Sequence, residues 1–396
     1  MKFHSTPTIL GAMAATALCL AGVALAGGQA PATPAPVPAP TQVMAEDAFK
    51  NVQVLKGYSV PQFMEAMGFF CASLGQSCEY CHDLVHGTWD DYATDNAHKN
   101  MARKMVLMMT AINKANFGGR RAVTCYSCHG GSTSPKITPS LALVYGTPSP
   151  EDPNDVPLGD APKGVTADQI LDKYLQAIGG AQRLAALTSF TAKGISVGYG
   201  DEAYDRPVEI FAKAPAQRST VIHTLSGDNT TTFDGRAAWV AAPATAAPVP
   251  VLALAGTDLD GARIDAALSF PAQLKTTLTG WRVGEPTTID DKEVQIVQGM
   301  AAPGRPVRLF FDKTSGLLVR QLRFTDSPIG LNPLQIDYSD YRAVAGVKMP
   351  YRWVVTWLDG MATFTMSDVQ ANAAVDAAKF NKPAPPAPPP PKPAVR

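Results

Sequence analysis

The chain is expected to fold as a multi-domain α + β protein: a small α-helical module followed by an antiparallel, open β-barrel-like domain with packing helices. Three observations carry this expectation. Residues 43–145 hold two Cys-x-x-Cys-His pentapeptides, each downstream of a helical stretch bearing methionines. Residues 165–382 read mostly as short strands separated by tight turns. Proline-rich segments at 27–42, 146–164 and 383–396 mark linkers and a tail. A chain of 396 residues has room for two ordinary domains. Lys+Arg and Asp+Glu both number 34, and a zero net charge argues against a dedicated nucleic-acid binder.

In chain order, residues 1–26 have the pattern of a signal peptide. Lys2 precedes an apolar run from Ile9 to Leu25, and Ala24-Leu25-Ala26 is a small-x-small cleavage site. The same run retained as a membrane anchor is the alternative. A Pro/Ala tether follows. Apolar residues at Phe63, Met67, Phe70 and Leu74 then predict a helix over Val60–Leu74, stopped by Gly75. The first pentapeptide, Cys78-Glu79-Tyr80-Cys81-His82, leads into a loop with Asp83, Asp90, Asp91 and Asp95. That loop reads as an ordinary polar loop or as a dock for a basic partner. A second helix is predicted over Ala97–Phe117, ended by Gly118-Gly119, and the second pentapeptide, Cys125-Tyr126-Ser127-Cys128-His129, follows.

After the 146–164 linker, Thr166 is placed to N-cap a helix with Ile170, Leu171, Tyr174, Leu175 and Ile178 on its apolar face, and a short helix near Leu184 comes next. Strands are expected over, for example, Val208–Lys213, Val294–Gly299, Leu317–Phe324, Tyr351–Leu358 and Ala362–Val369. Asp234-Gly235 and Asp359-Gly360 read as tight hairpin turns, and Pro271 should kink or split a helix over Leu259–Leu278. Trp239, Trp281, Trp353 and Trp357 are candidates for the wall of an apolar cavity or for plain core.

The pentapeptides carry the chemistry. Cys-x-x-Cys-His is the c-type haem attachment signal: two thiols add across the vinyl groups of one haem, and the adjacent imidazole meets the iron. Cys78 and Cys81 with His82, and Cys125 and Cys128 with His129, therefore predict two covalently bound c-type haems. Half of a zinc site is the competing interpretation of a single motif. Cys19 lies in the signal, so Cys71 remains alone and reads as a small buried residue of a helix. The second ligand to each iron has several candidates: Met64 and Met67 before the first motif, Met101, Met105, Met108 and Met109 before the second, and His98 as a competitor. His86, four residues after His82, is awkwardly placed, and methionine at helical spacing is also a common core filler. Arg103/Lys104 and Arg120/Arg121 could pair with haem propionates or form a solvated face.

The run Asn51-Val52-Gln53-Val54-Leu55, the methionine-bearing helix and Cys78 to His82 resemble the cytochrome c subunit of photosynthetic reaction centres. Ala102-Arg103-Lys104-Met105, Ala111-Ile112-Asn113 and Val123-Thr124-Cys125 through His129 do so too. The resemblance covers about residues 45–131. It implies that a methionine of the helix before each motif is the sixth ligand, so that Met67 partners His82 and Met105 partners His129. Members of that family carry four haems, one of them ligated by a histidine between the second helix and its motif. Here Lys114–Thr124 has no histidine and only two motifs exist, so the module is similar to half of that subunit. The layout of the β domain resembles, in pattern only, the open barrel of periplasmic lipoprotein-sorting factors.

Together these features lead to an expectation of an exported, periplasmic electron-transfer protein, not an enzyme. Its expected partners are redox proteins, a small cytochrome or a membrane electron-transfer complex, with an apolar ligand possible in the β domain. The alternatives are a peroxidase-like dihaem enzyme, which needs one open iron position, and an apolar-ligand or lipoprotein-binding protein whose haems sense redox state.

Overall fold

Two long helices organise the N-terminal region, and both start and stop on local signals. After the single turn α1 (Ala45–Ala48), α2 (Val60–Leu74) opens with the Ser59 backbone N–H donating to Gln62 Oε1 at 3.2 Å and with Pro61 in its first turn. It closes on Gly75 at φ 62°, and a side chain there would also collide with the Gly131 carbonyl. α3 (Ala97–Phe117) is capped by Asn96, whose side chain accepts from the Lys99 N–H at 3.0 Å, and it ends on Gly118. α4 (Cys125–His129) is the second pentapeptide itself, capped reciprocally by Thr124 and Ser127. The first pentapeptide forms a 3₁₀ turn over Cys78–Tyr80. The computed structural model describes residues 41–83, 89–139, 141, 144, 158–200 and 203–386. The predicted signal, nearly all of the tether, His4, His86, most of the 146–164 linker and the end of the proline tail lie outside the described residues.

The C-terminal region is one open antiparallel sheet. Its first strands are β1 (Ser189–Val197), β2 (Asp205–Lys213), β3 (Gln217–Thr224), β4 (Gly227–Phe233), β5 (Ala238–Ala241) and β6 (Val251–Ala253). After an intervening helical segment come β7 (Thr279–Val283), β8 (Thr287–Ile289), β9 (Lys292–Ala302) and β10 (Arg305–Asp312). The last four are β11 (Leu318–Ser327), β12 (Gly330–Val344), β13 (Val347–Trp357) and β14 (Gly360–Ala371). The spatial order is β6-β5-β4-β3-β2-β1-β14-β13-β12-β11-β10-β9-β7, with β8 paired to β9. Among the described residues only the β1–β14 pairing joins distant parts of the sequence; most other neighbours are consecutive, as expected of a meander. Helix α5 (Ala167–Ala177), capped by Thr166 and Gln169, and α6 (Ala181–Ala186) precede the sheet. The predicted 259–278 helix is split at Pro271 into α7 (Gly256–Ser269), a 3₁₀ turn and α8 (Leu274–Thr277).

One face of the sheet packs on these helices. Ile170, Leu171, Tyr174 and Ile178 of the α5 segment share a continuous core with Ile264, Phe270, Leu274, Leu309 and Phe311. The Asp359-Gly360 turn needs a small correction. Trp357 pairs with Gly360, so Leu358 and Asp359 are the two turn residues and Gly360 begins β14. Of the four tryptophans weighed for a cavity wall, Trp353 faces the cavity described below and stacks on Phe364 at 5.3 Å, Trp281 packs on the core, Trp239 is half-buried on β5, and Trp357 is exposed.

The helical region docks on the sheet, and both belong to a single unit spanning Pro40–Arg396. Phe69 of α2 lies against Gly330, where a Cβ would strike its ring, and Ile329 and Leu358 join the helical core of Leu55, Ala66, Phe69, Val106 and Met109. Polar contacts flank this apolar seam. Asn332 Nδ2 donates to the Glu65 carbonyl at 2.8 Å and to its carboxylate, and Arg121 reaches Asp326 and the Ser327 carbonyl. Arg121 thus clamps the two regions together. Among the described residues no helix is long and apolar enough to cross a membrane.

Candidate functional site

Each pentapeptide opens onto its own apolar cavity, and α3 serves both. The first cavity, of about 230 Å³, gathers Cys78, Cys81 and His82 with Met67, Phe63 and Phe70 of α2 and Lys99, Ala102, Arg103 and Val106 of α3. The second, of about 130 Å³, gathers Cys125, Cys128 and His129 with Met101, Met105, Met108, Met109 and Ile112 of α3. The α3 residues of the second set repeat at i, i+4, i+7, i+8 and i+11, one stripe of a 3.6-residue helix, while those of the first set lie on an adjacent stripe. Phe70, Leu74, Tyr80, Cys81 and Ala102 line both cavities, so the two sites share a wall.

Hydrogen bonds from α3 hold the motifs. Asn96 Nδ2 donates to the Cys81 carbonyl at 2.8 Å, and His98 Nδ1 donates to the Tyr80 carbonyl at 2.7 Å while its ring stacks on Tyr80 at 4.0 Å. At the other end, buried Asn113 donates to the Val123 carbonyl at 2.7 Å and accepts from the Ala122 and Val123 N–H groups at 3.1 and 3.0 Å. This fixes the approach to Cys125. His129 Nδ1 lies 2.9 Å from the Ser132 carbonyl, which can only accept, so the proton sits on Nδ1 and the Nε2 lone pair is left available. His82 Nδ1 is buried without a hydrogen-bond partner among the described residues. Burial first, and then the charge of Lys99, lower the His82 pKa to about 4, which keeps the ring neutral.

The structure places the expected attachment cysteines, the two motif histidines and the two expected methionines along the walls of the two cavities. Met67 lies with Cys78, Cys81 and His82; Met105 lies with Cys125, Cys128 and His129. Met64 also lines the first cavity, and Met101, Met108, Met109 and His98 the second, so placement alone leaves these competitors in range. Cys71 departs from expectation. It is half-buried, lines the first cavity and sits 4.0 Å from Cys78 sulfur to sulfur; that contact pushes the Cys71 thiol up and draws Cys78 down to about 7. Three of the loop's acids are engaged within the chain: Asp90 pairs with Lys50 at 2.6 Å, Asp95 with Arg103 at 2.7 Å, and Asp91 is buried, while Asp83 is exposed. Arg103 borders the first cavity, not the second, and Lys104 and Arg120 are exposed. Tyr92, Trp89 and Asp359 are wall residues that sequence reasoning missed. Among the described residues no cluster of three or more His, Cys, Asp or Glu forms a conventional metal site.

The sequence comparisons bear on this region. A family model described as photosynthetic reaction centre cytochrome C subunit matches residues 20–142. The helical region matches the reaction-centre cytochrome c subunit family. The photosynthetic reaction center cytochrome c subunit of Thermochromatium tepidum is 38% identical over 98 residues, covering 23% of this chain and 23% of the relative. That of Roseobacter denitrificans is 31% identical over 123 residues, covering 28% and 33%. The matched part thus spans a quarter to a third of the relatives' own lengths.

A third cavity, of about 280 Å³, opens in the sheet region between β1–β4, β12–β14 and α7. Its walls are mostly apolar, with Phe190, Ile210, Ile222, Trp353 and Phe364 among them. Arg218 also lines it and donates to Ser269 Oγ at 2.7 Å, while Asp265 is taken up by Arg323 at 2.9 Å. Burial pushes the Arg218 pKa down. The sheet region aligns with a LolA superfamily protein from Nitrosomonas europaea at 15% identity and TM-score 0.39, covering 55% of this chain and 99% of that one. An outer membrane lipoprotein-sorting protein domain from Vibrio parahaemolyticus aligns at 12% identity and TM-score 0.38, covering 54% and 97%.

Proposed function

We propose that the chain is an exported dihaem c-type cytochrome that passes electrons through two His/Met-ligated haems. The observation that carries this is the pairing, in each cavity, of a Cys-x-x-Cys-His motif with a methionine of the preceding helix. The residues fit the group: two thiols, one imidazole and at least one thioether line each mostly apolar cavity, and burial keeps the His82 ring in the neutral form that can ligate iron. Cys78 and Cys81, with His82 and Met67, would hold the first haem; Cys125 and Cys128, with His129 and Met105, would hold the second. A bound haem supplies a one-electron iron couple, and thioether ligation raises its potential relative to two imidazoles.

The chain's own residues do the rest. Phe63, Phe70, Val106 and Ile112 exclude water from the cavities, and a drier site strengthens every electrostatic effect inside it. Asn96, His98 and Asn113 fix the motifs to α3, so the two sites keep one spacing. The wall shared through Phe70, Leu74 and Tyr80 gives a short path between them. The proposed partners are a small cytochrome or a membrane electron-transfer complex.

The test is a potentiometric titration of the processed protein beside Met67→Ala and Met105→Ala. Each substitution is expected to move one midpoint, and the ferric parent is expected to show a Met–iron charge-transfer band and no tight cyanide binding. Midpoints unmoved by either substitution would refute the ligand assignment; tight cyanide or peroxide binding would favour the peroxidase-like alternative.

A second proposal rests on the third cavity. A half-buried guanidinium among apolar walls suits an anionic amphiphile, with Arg218 meeting the headgroup. On that proposal the chain binds an apolar ligand and the haems report redox state. Native mass spectrometry of the full chain, before and after delipidation and with Arg218→Leu, tests it. An amphiphile lost in the variant supports the proposal, and a parent chain that carries none and takes up no added fatty acid counts against it.

A further inference from the structure

We infer that Asp359, at the tip of the β13–β14 hairpin, is the negative charge in the wall of the first cavity and sets the potential of the haem held there. The inference rests on the dihaem proposal and adds to it a positioning residue from the other region of the chain. Among the described residues lining the first cavity, Asp359 is the one carboxylate. The cations beside it are committed elsewhere: Lys50 to Asp90, Arg103 to Asp95, and Lys99 to the carbonyls of Tyr92 at 2.7 Å and Thr94 at 2.5 Å. The Asp359 carboxylate accepts from its own backbone N–H and from the Trp357 side chain. The described residues lining the second cavity include no Asp, Glu, Lys or Arg. The first site therefore has charge in its wall, one carboxylate beside three cations engaged with other groups, and the second has none.

The placement is built from both sides. Gly68 follows Met67 on α2, and a Cβ at that position would lie 3.1–3.2 Å from the Asp359 carboxyl atoms, so glycine leaves the room the carboxylate occupies. From the sheet, Leu358 joins the helical core, and the two strands behind the turn are locked by their pairing from Trp357↔Gly360 back to Arg352↔Thr365. Behind their mutual contact and burial, Asp359 is the next group whose charge is felt at the thiols of both Cys71 and Cys78. A negative charge close to a redox iron favours its more positive, ferric form and lowers the potential.

Asp359→Asn is isosteric and keeps an acceptor for Trp357, so it removes charge with little change of shape. Potentiometric titration of the two-haem protein is expected to show the midpoint that responds to Met67→Ala moved upward, with the other midpoint unchanged. Asp359→Glu, which restores the charge on the same turn, should return that midpoint toward the parent's. Midpoints unmoved in Asp359→Asn, both midpoints moved equally, or Asp359→Glu behaving like Asp359→Asn would each overturn the inference. Failure of the dihaem proposal is distinguishable, because it appears in the mass of the purified chain as anything other than two attached haems before any potential is measured.

Discussion

The sheet region and the helical region solve the problem of burying apolar surface in opposite ways. In the sheet region, strands and helices bury side chains against each other: Phe310, Phe311, Leu309 and Leu322 are wholly enclosed. In the helical region, five buried residues and one borrowed from the sheet, Ile329, form the core, and much of the apolar surface of α2 and α3 faces the two cavities. Met101 and Leu107 stay 53% and 60% exposed on a helix of 21 residues, far more than a self-packed α-helical bundle allows. Stability in the first region thus comes from protein–protein packing. In the second a small core is supplemented by docking on the sheet.

The largest expected effect breaks one half of that comparison alone. Cys78→Ser with Cys81→Ser should yield a chain carrying one haem fewer by mass, with one midpoint lost. Hydrogen exchange should then speed up in α2 and α3 while the strands keep their protection. Loss of protection in the sheet as well would show that the sheet leans on the helical region. The converse variant is Phe311→Ala, in the sheet core against Tyr174 at 5.2 Å. It should cost about 3–5 kcal/mol in urea unfolding, and a loss below about 1 kcal/mol would mean that this core can collapse around the gap.

The same contrast explains how much was legible in the sequence. α2 and α3 could be read because an apolar stripe and the glycine stops at Gly75 and Gly118 are local signals, whereas the caps at Ser59 and Asn96 emerged only with the structure. The pentapeptides carried their chemistry in five consecutive residues, and Thr166 marked α5 in the same way. Long-range features were not legible. Nothing near Asp359 reports that α2 lies beneath it, some 290 positions earlier in the chain. Arg121 was open to a propionate or a solvated-face reading, and neither pointed to its ion pair with Asp326, 205 positions away. Cys71 looked like core because a lone thiol in an apolar helix usually is, and only the fold sets its sulfur beside that of Cys78. Asn113 was visible as part of a familiar segment, but its task, three hydrogen bonds to the chain before Cys125, needed the turn at Gly118 to bring both ends together.

A pH experiment sharpens the docking side of the comparison. Asp258 sits near Glu65, Arg323 and Asp326 at the seam, and burial first, then the Glu65 charge, push its pKa up to about 7. Burial also raises Glu65. A carboxyl raised in the folded state contributes stability that is fully present below its unfolded pKa, about 4, and that is lost as pH rises through about 7. Stability measured by urea at pH 5 and pH 8 should therefore fall toward pH 8 by on the order of 2 kcal/mol more in the parent than in Asp258→Asn. The parent-minus-variant difference removes contributions from other titrating groups. Equal pH slopes in the two proteins would mean that Asp258 is solvated in the folded state.

The smallest expected effect tests whether the two regions melt as one. Arg121 holds Asp326 and the Ser327 carbonyl from the segment just before the second motif, and both side chains of the ion pair are more than one-third exposed. Solvent screening keeps such a pair weak, so Arg121→Ala should cost about 1 kcal/mol or less globally. Its informative consequence is local. The apolar seam of Phe69, Ile329 and Leu358 remains in the variant, but the clamp nearest Cys125 is gone. Thermal melts followed at the haem absorbance and at the far-ultraviolet sheet signal should coincide in the parent and separate in Arg121→Ala, with the haem signal leaving first. Coincident melts in both proteins would assign the coupling to the apolar seam, and separated melts in the parent would mean that the docking contacts never joined the two regions into one cooperative unit.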